Sequence, residues 1–124
     1  MSDLIVHESK LPKYAPPGHD GTVNIRLVDT AFCGRFEMVL GTLEPGGVAH
    51  RHHHDVEAQI VYVLEGSCSV ELGTEPAVTC GPGTIIKLPP KLDHLITSNG
   101  DVPLKIIVIY SPPLPPRNDV PVDG

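Results

Sequence analysis

The chain has no tryptophan, and its only other aromatic residues are Tyr14, Tyr62, Tyr110, Phe32 and Phe36. It therefore has little on which to stack nucleic-acid bases. Positive charge is scarce as well, since nine Lys and Arg stand against fifteen Asp and Glu for a formal charge of -6. That balance repels phosphate backbones and anionic headgroups, so neither nucleic acid nor a membrane surface is an expected partner. Apolar runs such as Ile106 to Tyr110 fall far short of the ~20 residues that span a bilayer. Met1 to Lys10 lacks the basic and apolar regions of an export leader, and the expected location is the cytoplasm. Cys33, Cys68 and Cys80 are odd in number and form no CxxC pair, which argues against a disulfide framework or a zinc ribbon. Each reads as a small apolar core residue.

Turn formers, by contrast, are abundant. Twelve Gly and fourteen Pro among 124 residues exceed the usual ~12% for the two together and exclude long helices. The length suits one domain with a hydrophobic core. Residues 1–21 read as an irregular or edge-strand lead-in, 22–111 as a barrel domain and 112–124 as a proline-rich, extended tail. Within the barrel region, short β-rich segments alternate with turn signals: Val23–Val28, Arg35–Leu43, Ala58–Leu64, Cys68–Leu72, Ala77–Cys80, Thr84–Leu88, His94–Thr97 and Leu104–Tyr110. Such spacing predicts an all-β, antiparallel sandwich or barrel. The last of these segments is apolar on both faces after Lys105, so both faces should be covered, one by the barrel interior and the other by a second sheet or a partner copy. A homodimer is expected.

Four of the seven histidines crowd into Ala49-His50-Arg51-His52-His53-His54-Asp55, just after the turn signal Glu44-Pro45-Gly46-Gly47. On a regular strand, residues two apart share a face, which places His50, His52 and His54 in one column and turns His53 away. Two imidazoles in such a column can reach one metal ion. His7 and His19 lie outside this cluster and read as surface residues.

Two spaced patterns run through the same region. Gly46, five residues on His52, then His54, four residues on Gln59, and six residues on Gly66 make the first. Gly83, five residues on Pro89, and then His94 make the second. Together they resemble the two motifs of the cupin superfamily, G(X)5HXH(X)3,4E(X)6G and G(X)5PXG(X)2H(X)3N. An alternative register through His50, His52 and Glu57 restores the carboxylate but puts Glu44 and Leu64 where glycines belong. Glu57 is then a residue behind the ligands or one facing solvent.

The resemblance implies an antiparallel double-stranded β-helix, the jelly-roll barrel of small single-domain cupins. It implies His52, His54, Gln59 and His94 as ligands of one divalent transition metal per chain: Fe, Mn, Ni or Zn. Gln59 stands where the family most often has Glu, and a neutral ligand set leaves the ion a stronger Lewis acid. Lys91 replaces the second motif's Gly and Ser98 its Asn, changes expected to affect turn geometry. Cupins with such sites include dioxygenases, isomerases and lyases as well as proteins that only bind small molecules. The ligand set looks like that of pectin-degrading ketonising enzymes and of cupin hydroxynitrile lyases, although no Asp or Glu occurs from Pro103 to Arg117. Candidate acid–base groups are thus His50 and Tyr110, followed by Glu37 and Arg26. The apolar walls suit a small aromatic or enol-like substrate.

Overall fold

The computed structural model describes residues 4–123. After a 3-10 turn at Glu8–Lys10 come β1 (Lys13–Ala15), β2 (His19–Val28), a single helical turn α1 (Thr30–Cys33), β3 (Glu37–His52) and β4 (Ala58–Glu65). β5 (Cys68–Leu72), β6 (Val78–Cys80), β7 (Ile85–Leu88), β8 (His94–Ser98), β9 (Leu104–Ser111) and β10 (Val120–Val122) complete the fold. Every strand pairing is antiparallel, and the architecture is a jelly-roll barrel. Among the described residues no helix is long and apolar enough to cross a membrane.

β3 joins the two sheets. Its first half pairs with β9, which continues to β4 and β7, while its second half pairs with β8, which continues to β5 and β6. The turn expected at Glu44–Gly47 does not end the strand. Instead Leu43 pairs with Thr22 and Val48 with Asp20, so that four residues of β3 stand opposite Gly21 alone. Gly46 takes the left-handed conformation there, at φ 85°, and the bulge bends β3 from one sheet into the other.

The core lies between the sheets and follows strict alternation. Along β4, Gln59, Val61 and Val63 are buried while Ile60, Tyr62 and Leu64 are exposed. Leu43 and Leu104 pair across β3 and β9, and both are almost fully buried, each contributing about 1.5–3 kcal/mol. Gly66 closes the turn after β4 at φ 84°, and a Cβ there would lie 2.6 Å from the Pro103 carbonyl oxygen.

One expectation changes. Cys68 and Cys80 are buried, but Cys33 sits exposed on α1, where one turn of helix has no buried residue. The proline-rich tail is anchored to the barrel: Leu114 packs on the core, and Val120–Val122 adds an edge strand to β1.

Candidate metal centre

The histidine-rich run does not form one regular column. Ala49 pairs with Ile96 and His52 with His94, so His50 and Arg51 together face Leu95 alone. This second bulge shifts the alternation by one residue. Without it, buried Ala49 would be followed inward by Arg51 and His53; with it, His52 and His54 point into the barrel. The expectation that His50 shares their column is corrected, because its side chain is exposed and its Nε2 lies 2.6 Å from Asp20 Oδ2. His53 also faces out, between Asp93 at 2.7 Å and Asp55 at 3.1 Å.

His94, the partner of His52 in the ladder, completes the inward group. Ligand atoms of His52, His54 and His94 lie within 4.8 Å of one another. Their rings stack edge-on, with centroids 5.0 Å apart for His52 and His54 and 4.4 Å for His52 and His94. Backbone carbonyls orient two of them. His52 Nδ1 donates to His50 O at 2.6 Å and His94 Nδ1 to Leu92 O at 3.1 Å, which leaves each Nε2 as a free lone pair.

Gln59 enters from β4 in register with Tyr110 of β9, which in turn is in register with Glu37 of β3. All three are buried. His54 Nε2, His94 Nε2 and Gln59 Oε1 are buried atoms without a hydrogen-bond partner. Buried polar atoms normally find one, so these donors suit the ligand set of a cation. Burial pushes His54 down to about 4, helped by His52, His94 and Arg117, and burial likewise lowers His94. His54 and His94 are therefore neutral at pH 7, the form that binds metal. Three nitrogens and an amide oxygen match the borderline divalent ions Fe, Mn, Ni and Zn.

Other sequence candidates are distributed around this group. Tyr110 is buried, with its ring edge-on to His54 at 5.5 Å, and burial raises its phenol well above the ordinary value. It stays protonated and can donate but not readily abstract a proton. Glu37 is not a free base, because its Oε2 accepts from Arg26 Nε at 2.9 Å and its Oε1 from Leu114 N–H at 3.0 Å. Arg26 also reaches Asp119 at 3.1 Å and lies over the Tyr14 ring. Glu57 is outside the three-histidine group.

The motif position filled by Lys91 has the geometry of the glycine it replaces. Lys91 adopts φ 73°, and its N–H donates to His54 O at 2.7 Å, tying the turn to the site. His19 was expected at the surface, yet it is half-buried, 6.4 Å from the His52 ring and hydrogen-bonded to Thr22. Burial, followed by His52 and Arg117, brings it down to about 4. Nothing local marks His19; only the pairing of β2 with β3 opposite Ala49 brings it there.

Comparison with known proteins agrees with this geometry. A family model described as "Cupin domain" matches residues 39–110. L-ectoine synthase of Bordetella petrii is 30% identical over 84 residues, covering 67% of this chain and 62% of that protein. The chain spans between 34% and 62% of the length of the curated relatives it matches. Among solved structures, the polyketide cyclase RemF of Streptomyces resistomycificus superposes with a TM-score of 0.78 at 25% identity, covering 97% of this chain and 85% of that one. A predicted oxalate decarboxylase of Thermotoga maritima also gives 0.78, at 19% identity with 86% and 97% covered, which speaks for the fold. With the family model matched over more than half its length, the chain belongs to the cupin family.

Proposed function

We propose that this cupin is a metal-dependent enzyme acting on a small organic substrate that coordinates a divalent transition ion held by His52, His54, His94 and Gln59. The observation that carries this reading is the group of His52, His54 and His94, whose ligand atoms lie within 4.8 Å of one another, with buried Nε2 atoms of His54 and His94 that have no hydrogen-bond partner. Such an ion supplies Lewis acidity or, if it is iron, a redox centre, so the reaction class is dioxygenase or isomerase and lyase chemistry. The chain's own residues set the conditions. His50 O and Leu92 O hold two imidazoles in the ligating tautomer, Gln59 adds no charge, and Tyr110 keeps its proton. Resemblance to proteins described as a polyketide cyclase and an ectoine synthase supports catalysis over simple binding.

The outer apolar face of β4, β7 and β9, with Ile60, Tyr62 and Ile85 exposed, supports a homodimer, which light scattering of wild type and Ile60→Glu would test. Three unpaired cysteines agree with a cytoplasmic location. The central test is elemental analysis of untagged protein purified without chelator or added ions, alongside His52→Ala and His94→Ala. About one ion per chain, lost in both variants, is expected; iron then directs oxygen-uptake assays with phenols and enols, and Mn, Ni or Zn directs isomerase and lyase screens. Absence of metal, or metal unchanged in the variants, overturns the assignment.

A further inference from the structure

Two of the three cysteines meet across a strand pair at the edge of the barrel. Cys68 opens β5, Cys80 ends β6, and the antiparallel register sets them directly opposite each other. Both are free thiols buried in the core, Cys68 at 0% and Cys80 at 9% exposure. Side chains directly opposite in such a ladder share a face, with Cβ atoms about 4.5–5.5 Å apart, against about 3.8 Å in a disulfide. Joining the sulfurs therefore takes an approach of about 1 Å. β6 is placed to supply it. It is three residues long, pairs with no second strand among the described residues, and is followed by Gly81, whose Cβ position has no atom within 4 Å.

The two thiols differ in access. Cys80 lines a cavity of about 220 Å³ bounded by the edge strands β6 and β7, together with Val70, Leu72, Pro76, Val78 and Ile86. Cys68 is fully shielded, and burial, followed by the neighbouring Cys80, pushes its thiol up to about 11. Neither belongs to the metal centre. β5 meets that site at its other end, where Leu72 pairs with His94, whereas Cys68 pairs with Ser98.

We propose that Cys68 and Cys80 form a dithiol modification site, which a peroxide converts into a cross-strand disulfide that staples the edge strand β6 to β5. The inference stands apart from the metal-site reading. Hydrogen peroxide entering the cavity meets Cys80 first. The Cys80 thiolate attacks one peroxide oxygen, so that an S–O bond forms, the O–O bond breaks and hydroxide leaves; the sulfur gives up two electrons and the peroxide is reduced. Cys68 Sγ then attacks the Cys80 sulfur, the S–S bond forms, and the S–O bond breaks as the departing hydroxide takes the Cys68 proton. Two thiols and one hydrogen peroxide thus give one disulfide and two waters. A shielded thiol with a raised value is a slow reagent toward free peroxide, but Cys68 is held in register with its partner sulfur, which makes the second step intramolecular.

The test exposes the full chain carrying Cys33→Ser, which removes the exposed thiol, to hydrogen peroxide; wild type, in which Cys33 reports the dose, is treated alongside. Thiols are counted after unfolding, intact mass and peptide maps locate the bond, and melting midpoints are taken before and after dithiothreitol. The Cys33→Ser protein should lose both thiols together and two hydrogen atoms in mass, remain unlinked to other chains, and recover with dithiothreitol. Its oxidised form should melt about 5 °C or more above the reduced one, as a bond across a short loop restricts the unfolded chain. With Cys68→Ala added, Cys80 should stop at the sulfenic acid and be captured by dimedone; with Cys80→Ala added, Cys68 should stay a thiol. Two intact thiols at a dose that fully oxidises Cys33, oxygen added to either sulfur without a disulfide, a disulfide that forms only in denaturant, or an unchanged or lower melting midpoint would each overturn the proposal.

Discussion

Histidines from one short run behave in opposite ways depending on which side of the barrel wall they reach. His52 and His54 face inward with His94, and burial holds His54 and His94 below the ordinary imidazole value. His53 faces outward, where hydrogen bonding to Asp93 raises it, and His50 lies beside Asp20. Identical side chains thus become metal-competent bases on one face and carboxylate-paired surface groups on the other. What separates them is a bulge of a single extra residue, His50 and Arg51 opposite Leu95.

The largest expected effect tests that separation directly. His52→Ala and His94→Ala should lose stoichiometric metal, a drop beyond the ~10–100-fold typical of removing a residue that only supports a ligand. His50→Ala and His53→Ala should retain it by elemental analysis. Metal loss in His53→Ala to the same extent would collapse the distinction between the faces.

Gln59→Glu adds a negative charge to the inner group alone. Interaction of two charges at ~4 Å amounts to about 4 kcal/mol at a dielectric near 20, so metal affinity should rise at least tenfold in competition with a chelator. Turnover of any substrate found should fall, because the ion becomes a weaker Lewis acid.

Acidity divides the two faces by sign. His54 binds its proton at about 4 in the folded protein and near 6.5 when unfolded, so the unfolded state takes up protons first. Metal-free protein should therefore lose stability as pH falls from about 6.5 toward 4, and His54→Gln should flatten that slope. His53 has a raised value; its contribution is complete below 6.5 and disappears as pH rises through the raised value. Melting midpoints of His53→Gln against pH should show a small effect of opposite sign, since the pair is exposed.

The smallest effect concerns the turn behind His54. A non-glycine residue in the left-handed region costs about 1–2 kcal/mol, and glycine returns part of this in backbone entropy. Lys91→Gly should accordingly raise stability by about 1 kcal/mol or less in denaturant unfolding while leaving metal content unchanged.

Much of this molecule was legible from the chain. Turn residues at short intervals marked eight of the ten strands, because Gly and Pro act locally. The spaced glycines, proline and histidines pointed to His52, His54, Gln59 and His94, and the structure gathers ligand atoms of the three histidines within 4.8 Å of one another. Local pattern failed wherever a distant strand decided the outcome. The period-two argument put His50 inside because a bulge arises from pairing, and β8 lies some forty residues away from β3 in sequence. His19 looked like a surface residue because nothing around Gly18-His19-Asp20 shows that it will pair opposite Ala49. The tail read as an extended segment because its prolines exclude regular structure, while its attachment depends on Glu37 and Arg26.

The sequence by itself determined the β-rich class, the turns and the identity of the donor side chains, since these follow from backbone preferences and residue chemistry acting over a few positions. Only the tertiary structure decided which histidines share a face and how Arg26 draws both Glu37 and Asp119 away from the site. Those outcomes depend on strand register and on burial, which exist only once segments far apart in the chain have packed together.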